Sequence, residues 1–168
     1  MFEYALLMVF PAAMAFAALM DLFTMTIPNR ISLVLVGAFL VVAPLTGMHL
    51  DAFAAHVGTG FAVLIVGIAM FAFGWLGGGD AKLLAAASLW IGHEALLPYV
   101  VMVTIMGGGL ALAILAYRAI VPPLWATRHE WAMRLYDKNT GIPYGIALSG
   151  AALWVFPTTA WFATVAAG

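Results

Sequence analysis

The sequence predicts an all-α membrane protein, a single domain over residues 1–168 with the architecture of a polytopic helical bundle. Three observations carry this. First, 66% of the residues are hydrophobic and only 8% are charged, with a mean hydropathy of +1.12. A soluble domain is typically about a quarter charged, so this chain cannot cover a globule with polar surface and needs lipid as part of its solvent. Second, the apolar residues come in runs near the length that crosses a bilayer, and the chain has room for about six of them. Third, the Lys and Arg residues are confined to alternate breaks between those runs.

Taken in order, the predicted helices are Tyr4–Met20, Ile31–Thr46, Phe53–Leu76, Ala81–Ile91, Leu96–Tyr117 and Ile142–Ala163. The first begins near Glu3, where a signal peptide would carry a basic residue, and is read as a retained transmembrane helix. It is interrupted by Asp21, and a polar turn with Thr24, Thr26, Pro28, Asn29 and Arg30 follows. Met48–Asp51 separate the second and third helices. Gly77, Gly78, Gly79 and Asp80 break the chain before the fourth. That fourth helix is short for a span, which predicts that it is tilted beneath its neighbours or shielded from lipid. His93 and Glu94 mark the next turn, and a polar stretch over Arg118–Gly141 precedes the last helix.

Numbering the loops alternately, Arg30 falls in the first, Lys82 at the third, and Arg118, Arg128, Arg134 and Lys138 in the fifth; these are all six basic residues of the chain. The second and fourth loops carry Asp51, Glu94 and His residues instead. The positive-inside rule then predicts cytoplasmic odd-numbered loops and both termini outside. Within the fifth loop, Leu124, Trp131 and Leu135 interleave with Arg128, Glu130, Arg134 and Lys138. The pattern fits either an amphipathic surface helix or a basic loop with aromatic anchors.

There is no cysteine, which excludes disulfides, a thiolate nucleophile and a Cys-based zinc site. The groups that stand out are Asp21 and Asp80. An Asp near the centre of a membrane helix costs on the order of 3 kcal/mol, and each of these closes or opens an apolar run near the same predicted membrane face. Singly, each could mark a helix end at the water interface, and Asp80 could cap the fourth helix. Together they could project into one cavity and share a proton, one acting as base on a water and the other as acid toward a carbonyl oxygen. Gly77, Gly78 and Gly79 free the backbone beside Asp80, so that an extended substrate strand could approach; a flexible turn would use glycine as well.

These residues carry a resemblance. Gly77-Gly78-Gly79-Asp80 fits the GxGD signature of intramembrane aspartic peptidases, and residues 77–86 resemble the second-aspartate motif of type IV prepilin peptidases. Asp21 with Ile27-Pro28-Asn29 resembles their first-aspartate motif, and Gly141-Ile142-Pro143-Tyr144-Gly145 a third feature at the start of the last helix. The three pieces occur in family order across nearly the whole chain. In lacking paired Cys-x-x-Cys motifs the chain is similar to the short branch associated with tight-adherence (Flp-type) pili, for which the resemblance implies no methyl transfer. Where members often carry basic residues after the first aspartate, this chain has Phe23, Thr24, Met25 and Thr26.

The resemblance implies a membrane-embedded aspartic endopeptidase that cleaves the leader of a prepilin-like substrate at the cytoplasmic face of a bacterial inner membrane. Asp21 and Asp80 would be catalytic and Gly77, Gly78 and Gly79 substrate-binding. Its partners would be the prepilin-like peptide and the lipid bilayer, with no cofactor, metal or nucleic acid. The alternative is a small proton-coupled transporter using the paired carboxylates, which predicts a polar path continuing across the membrane; the outer halves of the helices offer no further Asp, Glu or Lys for one. Elsewhere, His49, His56 and His93 match no standard metal-ligand spacing and read as interfacial. His129 reads as part of a solvated loop face. Gly107-Gly108-Gly109 reads as a small-residue packing surface, and Tyr144 as a buried Tyr with a hydrogen-bond partner.

Overall fold

The first two helices each bury one stripe at helical spacing, although their exposed faces are apolar too. In α1 (Val9–Thr24) the buried residues are Phe10, Met14, Ala17 and Asp21, a single stripe that puts Asp21 on the core-facing side. In α2 (Asn29–Leu45) Ile31, Leu35, Phe39 and Val42 do the same. The chain continues through α3 (Leu50–Ala72), α4 (Gly78–Ile91), α5 (Leu96–Ala119), a 3₁₀ turn (Ala126–Arg128), α6 (Glu130–Tyr136), α7 (Tyr144–Val155), a second 3₁₀ turn (Phe156–Thr158) and α8 (Ala160–Ala167). The structure, a computed structural model, describes residues 6–167, and every regular element among these is helical. The predicted start of the first helix at Tyr4, and Glu3 before it, lie outside the described residues.

The short α4 is the centre of the bundle. It packs against α3, α2 and α7, and every residue from Ala85 through Ile91 is buried. The expectation of a shielded fourth helix is met, because protein surrounds it on several sides. Its neighbour α3 approaches closely through glycine: a Cβ on Gly60 would lie 3.1 Å from that of Leu89, and one on Gly67 would lie 3.2 Å from that of Ala81. The other main contacts run α1 to α7 and α5 to α7.

Among the described residues two helices, α3 with 23 residues and α5 with 24, are long and apolar enough to cross a membrane. Only 17% of the most apolar window of each is buried. The core helix of a soluble protein would be mostly buried; these expose apolar surface instead, as lipid-facing helices do. Both helices therefore suit a bilayer. The six spans expected from the sequence are not all of this kind. α1, α2 and the segment Tyr144–Thr158 are apolar but shorter, and the last predicted helix, Ile142–Ala163, is split at Phe156–Thr158. Pro157, at the start of that 3₁₀ turn, lacks the N–H that would have continued the ladder.

Two further boundaries differ from expectation. Asp21 does not interrupt α1, which runs on to Thr24 and stops where Met25 takes a left-handed conformation (φ 54°) and donates its N–H to Asp21 O at 2.8 Å. Gly78 and Gly79 belong to the first turn of α4 and are not part of the break. The break lies earlier, at Gly74, whose φ of +73° suits glycine.

The loop between α5 and α7 is tied down by cations. Arg118 donates from Nε to Leu135 O (2.8 Å) and from Nη2 to Thr140 O (3.0 Å) and Gly141 O (3.1 Å). Arg134 Nη1 donates to Phe23 O at 2.9 Å, and Trp131 sets its ring edge-on to Phe23 at 5.7 Å. The helical part of this loop is only the seven residues of α6; Leu124, expected to share its apolar face, lies outside it and is exposed.

Candidate active site

The end of the bundle that bears both aspartates is assembled from the three sequence motifs. Asp21 is buried. Its Oδ2 accepts the Gly145 N–H at 2.7 Å, and the Ile146 amide also interacts with the carboxylate. Gly145 and Ile146 stand in the first turn of α7, after Pro143. The first amides of a helix have no intrahelical acceptor, and the N-terminal end of the helix dipole favours an anion. The stripe on α1 aims Asp21 inward, and the start of α7 meets it there.

Asp80 is half-buried, in the first turn of α4. It is not the cap of that helix; Gly77 holds the capping position. Its carboxylate turns back to interact with the Gly77 backbone N–H, the reach of an acidic residue at the third helical position toward the residue before the helix. A Cβ on Gly77 would lie 2.7 Å from Asp80 Oδ2, so glycine leaves the room that this turn-back needs. Asp80 also lies within electrostatic reach of Asp21. The two carboxylates picked out in the sequence therefore belong to one site.

Ile27 joins the two halves. Pro28 restricts the residue before it to extended backbone. The Ile27 side chain fits between two glycines: a Cβ on Gly79 would stand 3.3 Å from Ile27 Cβ, and one on Gly145 would stand 2.7 Å from both Ile27 Cδ1 and Asp21 Oδ2. Any side chain at Gly145 would thus collide with the first aspartate and with the wedge beneath it. Gly78 is occupied from the other side by Phe71, 3.3 Å from an added Cβ. Beside this, Lys82 Nζ donates to Asn29 Oδ1 at 2.9 Å, linking the segment after Asp21 to the helix that follows Asp80.

Gly145, Ile27 and the Asn29–Lys82 bond were legible in the sequence only as parts of motifs, without roles. Their roles depend on contacts between residues far apart in the chain. Tyr144 differs from expectation: it is 40% exposed and lays its ring on Gly107, 3.1 Å from an added Cβ. Among the described residues the buried tyrosine is Tyr99, which donates its hydroxyl to Leu148 O at 3.2 Å. Of the three glycines in α5, Gly107 serves as a packing surface, whereas Gly108 and Gly109 face open space.

Three of the four histidines lie away from this site. His49, His56, His93 and Glu94 line a cavity of about 390 Å³ with Trp161. His56 is half-buried, bonded through Nδ1 to Leu89 O at 2.8 Å and stacked on Phe39 at 5.8 Å. No group of three or more His, Asp or Glu among the described residues is arranged to hold a metal.

Fold and site together define an all-helical membrane protein with two interacting carboxylates set among helix ends, the equipment of an intramembrane aspartic peptidase. The sequence profile of the type IV leader peptidase family matches residues 8–112, more than half of the chain, and the chain belongs to that family. It is a prepilin peptidase, an aspartic endopeptidase whose substrate is a prepilin. No curated protein matches the chain, and no solved structure does either. Family membership favours the peptidase reading over the transporter.

Proposed function

We propose that Asp21 and Asp80 are the catalytic pair, and that the protein removes the leader from a Flp-like prepilin at the cytoplasmic face of a bacterial inner membrane. The observation that carries this reading is that Asp21, bonded to the start of α7, lies within electrostatic reach of Asp80, with Ile27 packed on both Gly145 and Gly79 beside them. One carboxylate takes a proton from a water, whose oxygen attacks the scissile carbonyl carbon. The other gives a proton to the carbonyl oxygen. Collapse of the tetrahedral intermediate then expels the leaving amine, which takes up a proton, and the pair titrates as a unit throughout. The substrate backbone lies along the stretch Gly77, Gly78 and Gly79, next to Asp80, where the glycines also leave room for the Asp80, Phe71 and Ile27 side chains.

The chain in this reading crosses the membrane several times, with the aspartate end facing the cytoplasm. What supports the orientation is that Lys82, Arg118 and Arg134 all make their bonds at or beside that end, as the positive-inside rule requires. The test is co-expression with a pilin precursor in membranes, with cleavage followed as a mobility shift. Cleavage by the wild type, and none by Asp21→Asn or Asp80→Asn at matched expression, is the expected result. Cleavage by either variant at the wild-type rate removes the pair from the mechanism. Reporter fusions after Asn139 and after Gly168 should report opposite sides of the membrane; the same side for both overturns the topology.

A further inference from the structure

α2 and α3 both pack against α4 and leave a groove of about 470 Å³ between them, within the range of roughly 300–1,000 Å³ for small-molecule sites. Its walls are apolar: Leu33 and Val36 from α2, Val57 and Phe61 from α3. All four side chains are more than a third exposed, so the groove opens sideways, toward the bilayer.

Its polar groups are confined to one end and come in order. Lys82 and Asn29 stand at the mouth. The Lys82 ammonium spends one of its three donors on Asn29, and the side chain is otherwise exposed. One helical turn deeper on α2, Ser32 lines the groove. It is only 8% exposed, and its Oγ has no hydrogen-bond partner. A buried hydroxyl left without a partner is costly and calls for an acceptor or donor. Beyond Ser32 the walls are hydrocarbon.

We propose that this groove binds one anionic phospholipid, with the phosphate on Lys82 and Asn29, a glycerol ester carbonyl accepting from the Ser32 hydroxyl, and an acyl chain along Leu33, Val36, Val57 and Phe61. Cation, hydroxyl and hydrocarbon follow one another along the groove as phosphate, ester and chain follow one another in the lipid. The substrate's apolar helix is the competing occupant, and the geometry of α4 disfavours it. At about 100° per residue, Lys82 lies roughly 200° and Leu89, on the groove floor, roughly 180° around α4 from Asp80. A helix seated in the groove would have α4 between itself and the carboxylates. The inference concerns lipid and does not depend on peptidase activity.

The test is native mass spectrometry of the full chain released from nanodiscs of phosphatidylglycerol or of phosphatidylcholine, joined to photocrosslinking from a photoreactive phenylalanine analogue at position 61. One retained phosphatidylglycerol per chain is expected, with weaker retention of phosphatidylcholine. Lys82→Gln should weaken phosphatidylglycerol retention roughly fivefold, the worth of one Lys near an anionic headgroup, and that of phosphatidylcholine, whose phosphate is offset by its own ammonium, by less. Ser32→Ala should weaken both, and Val36→Trp, at a lipid-facing position that tolerates bulk, should exclude both. Position 61 should crosslink to lipid. Equal retention of the two lipids, retention unaffected by Val36→Trp, or crosslinking of position 61 to a co-expressed pilin precursor in place of lipid would each overturn the proposal.

Discussion

The two ends of the bundle are held together by different means. At the end opposite the aspartates, large rings interlock. Trp90 stacks on Phe10 at 5.2 Å and on Trp161 at 5.4 Å, and Phe39 meets Trp161 edge-on at 5.6 Å. The polar handles of the rings are satisfied: Trp90 Nε1–H donates to Leu35 O at 2.9 Å, and Trp161 Nε1–H donates to Thr46 Oγ1 at 3.0 Å. At the aspartate end rings such as Phe23 and Trp131 pack on the outside, while the helices bearing the carboxylates meet through glycines, the wedge at Ile27 and single hydrogen bonds onto carboxylates and carbonyls. Aromatic rings of this size dominate packing energy, whereas each hydrogen bond adds little net stability. One end thus supplies most of the packing energy, and the other is joined by close approaches at glycine and by single hydrogen bonds. Substitutions that change activity should therefore separate from those that change stability.

The largest expected effect is on chemistry. Asp21→Asn and Asp80→Asn should each lower leader cleavage by on the order of 10⁴-fold or more, with the double variant little worse than either, since paired groups act as a unit. Unfolding temperatures in detergent should stay close to wild type. A double variant whose loss equals the product of the two single losses would contradict a shared step. Next comes Trp90→Ala at the aromatic end, which should destabilise the fold by about 3–5 kcal/mol while the folded fraction keeps its specific activity; thermal unfolding followed beside cleavage checks both halves. If this variant loses activity with its stability intact, the division between the two ends is wrong.

Gly145→Ala probes the junction more gently. The added methyl meets Asp21 Oδ2 and Ile27 Cδ1 at 2.7 Å, and a displacement of about 1 Å at a catalytic group can cost roughly 10²-fold in rate. A loss of that size, at a stability near wild type, is expected in a kinetic assay; undiminished cleavage would show that the Asp21 position is not set by α7. The smallest effect is expected from Asn29→Ala, which removes the acceptor of Lys82. A single hydrogen bond to a charged group contributes about 1.5–3 kcal/mol at most, and less where Lys82 is solvated, so cleavage should fall by less than about tenfold.

Much of this was determined by the sequence alone. An apolar chain with six basic residues in alternate breaks implies membrane helices, because solvation of side chains is a local property. Which face of the first helix turns inward was left open, because apolar side chains surround it on every side. The motifs around Asp21, Asp80 and Gly145 were each visible as strings. What joins them was not. That Ile27 fills the space left by Gly79 and Gly145, that the Gly145 amide binds a carboxylate 124 positions away, and that the short α4 sits at the centre with a groove on its far face are facts of tertiary packing. Sequence spacing along one helix fixes a direction for a side chain. Only the docking of separate helices decides what that side chain meets.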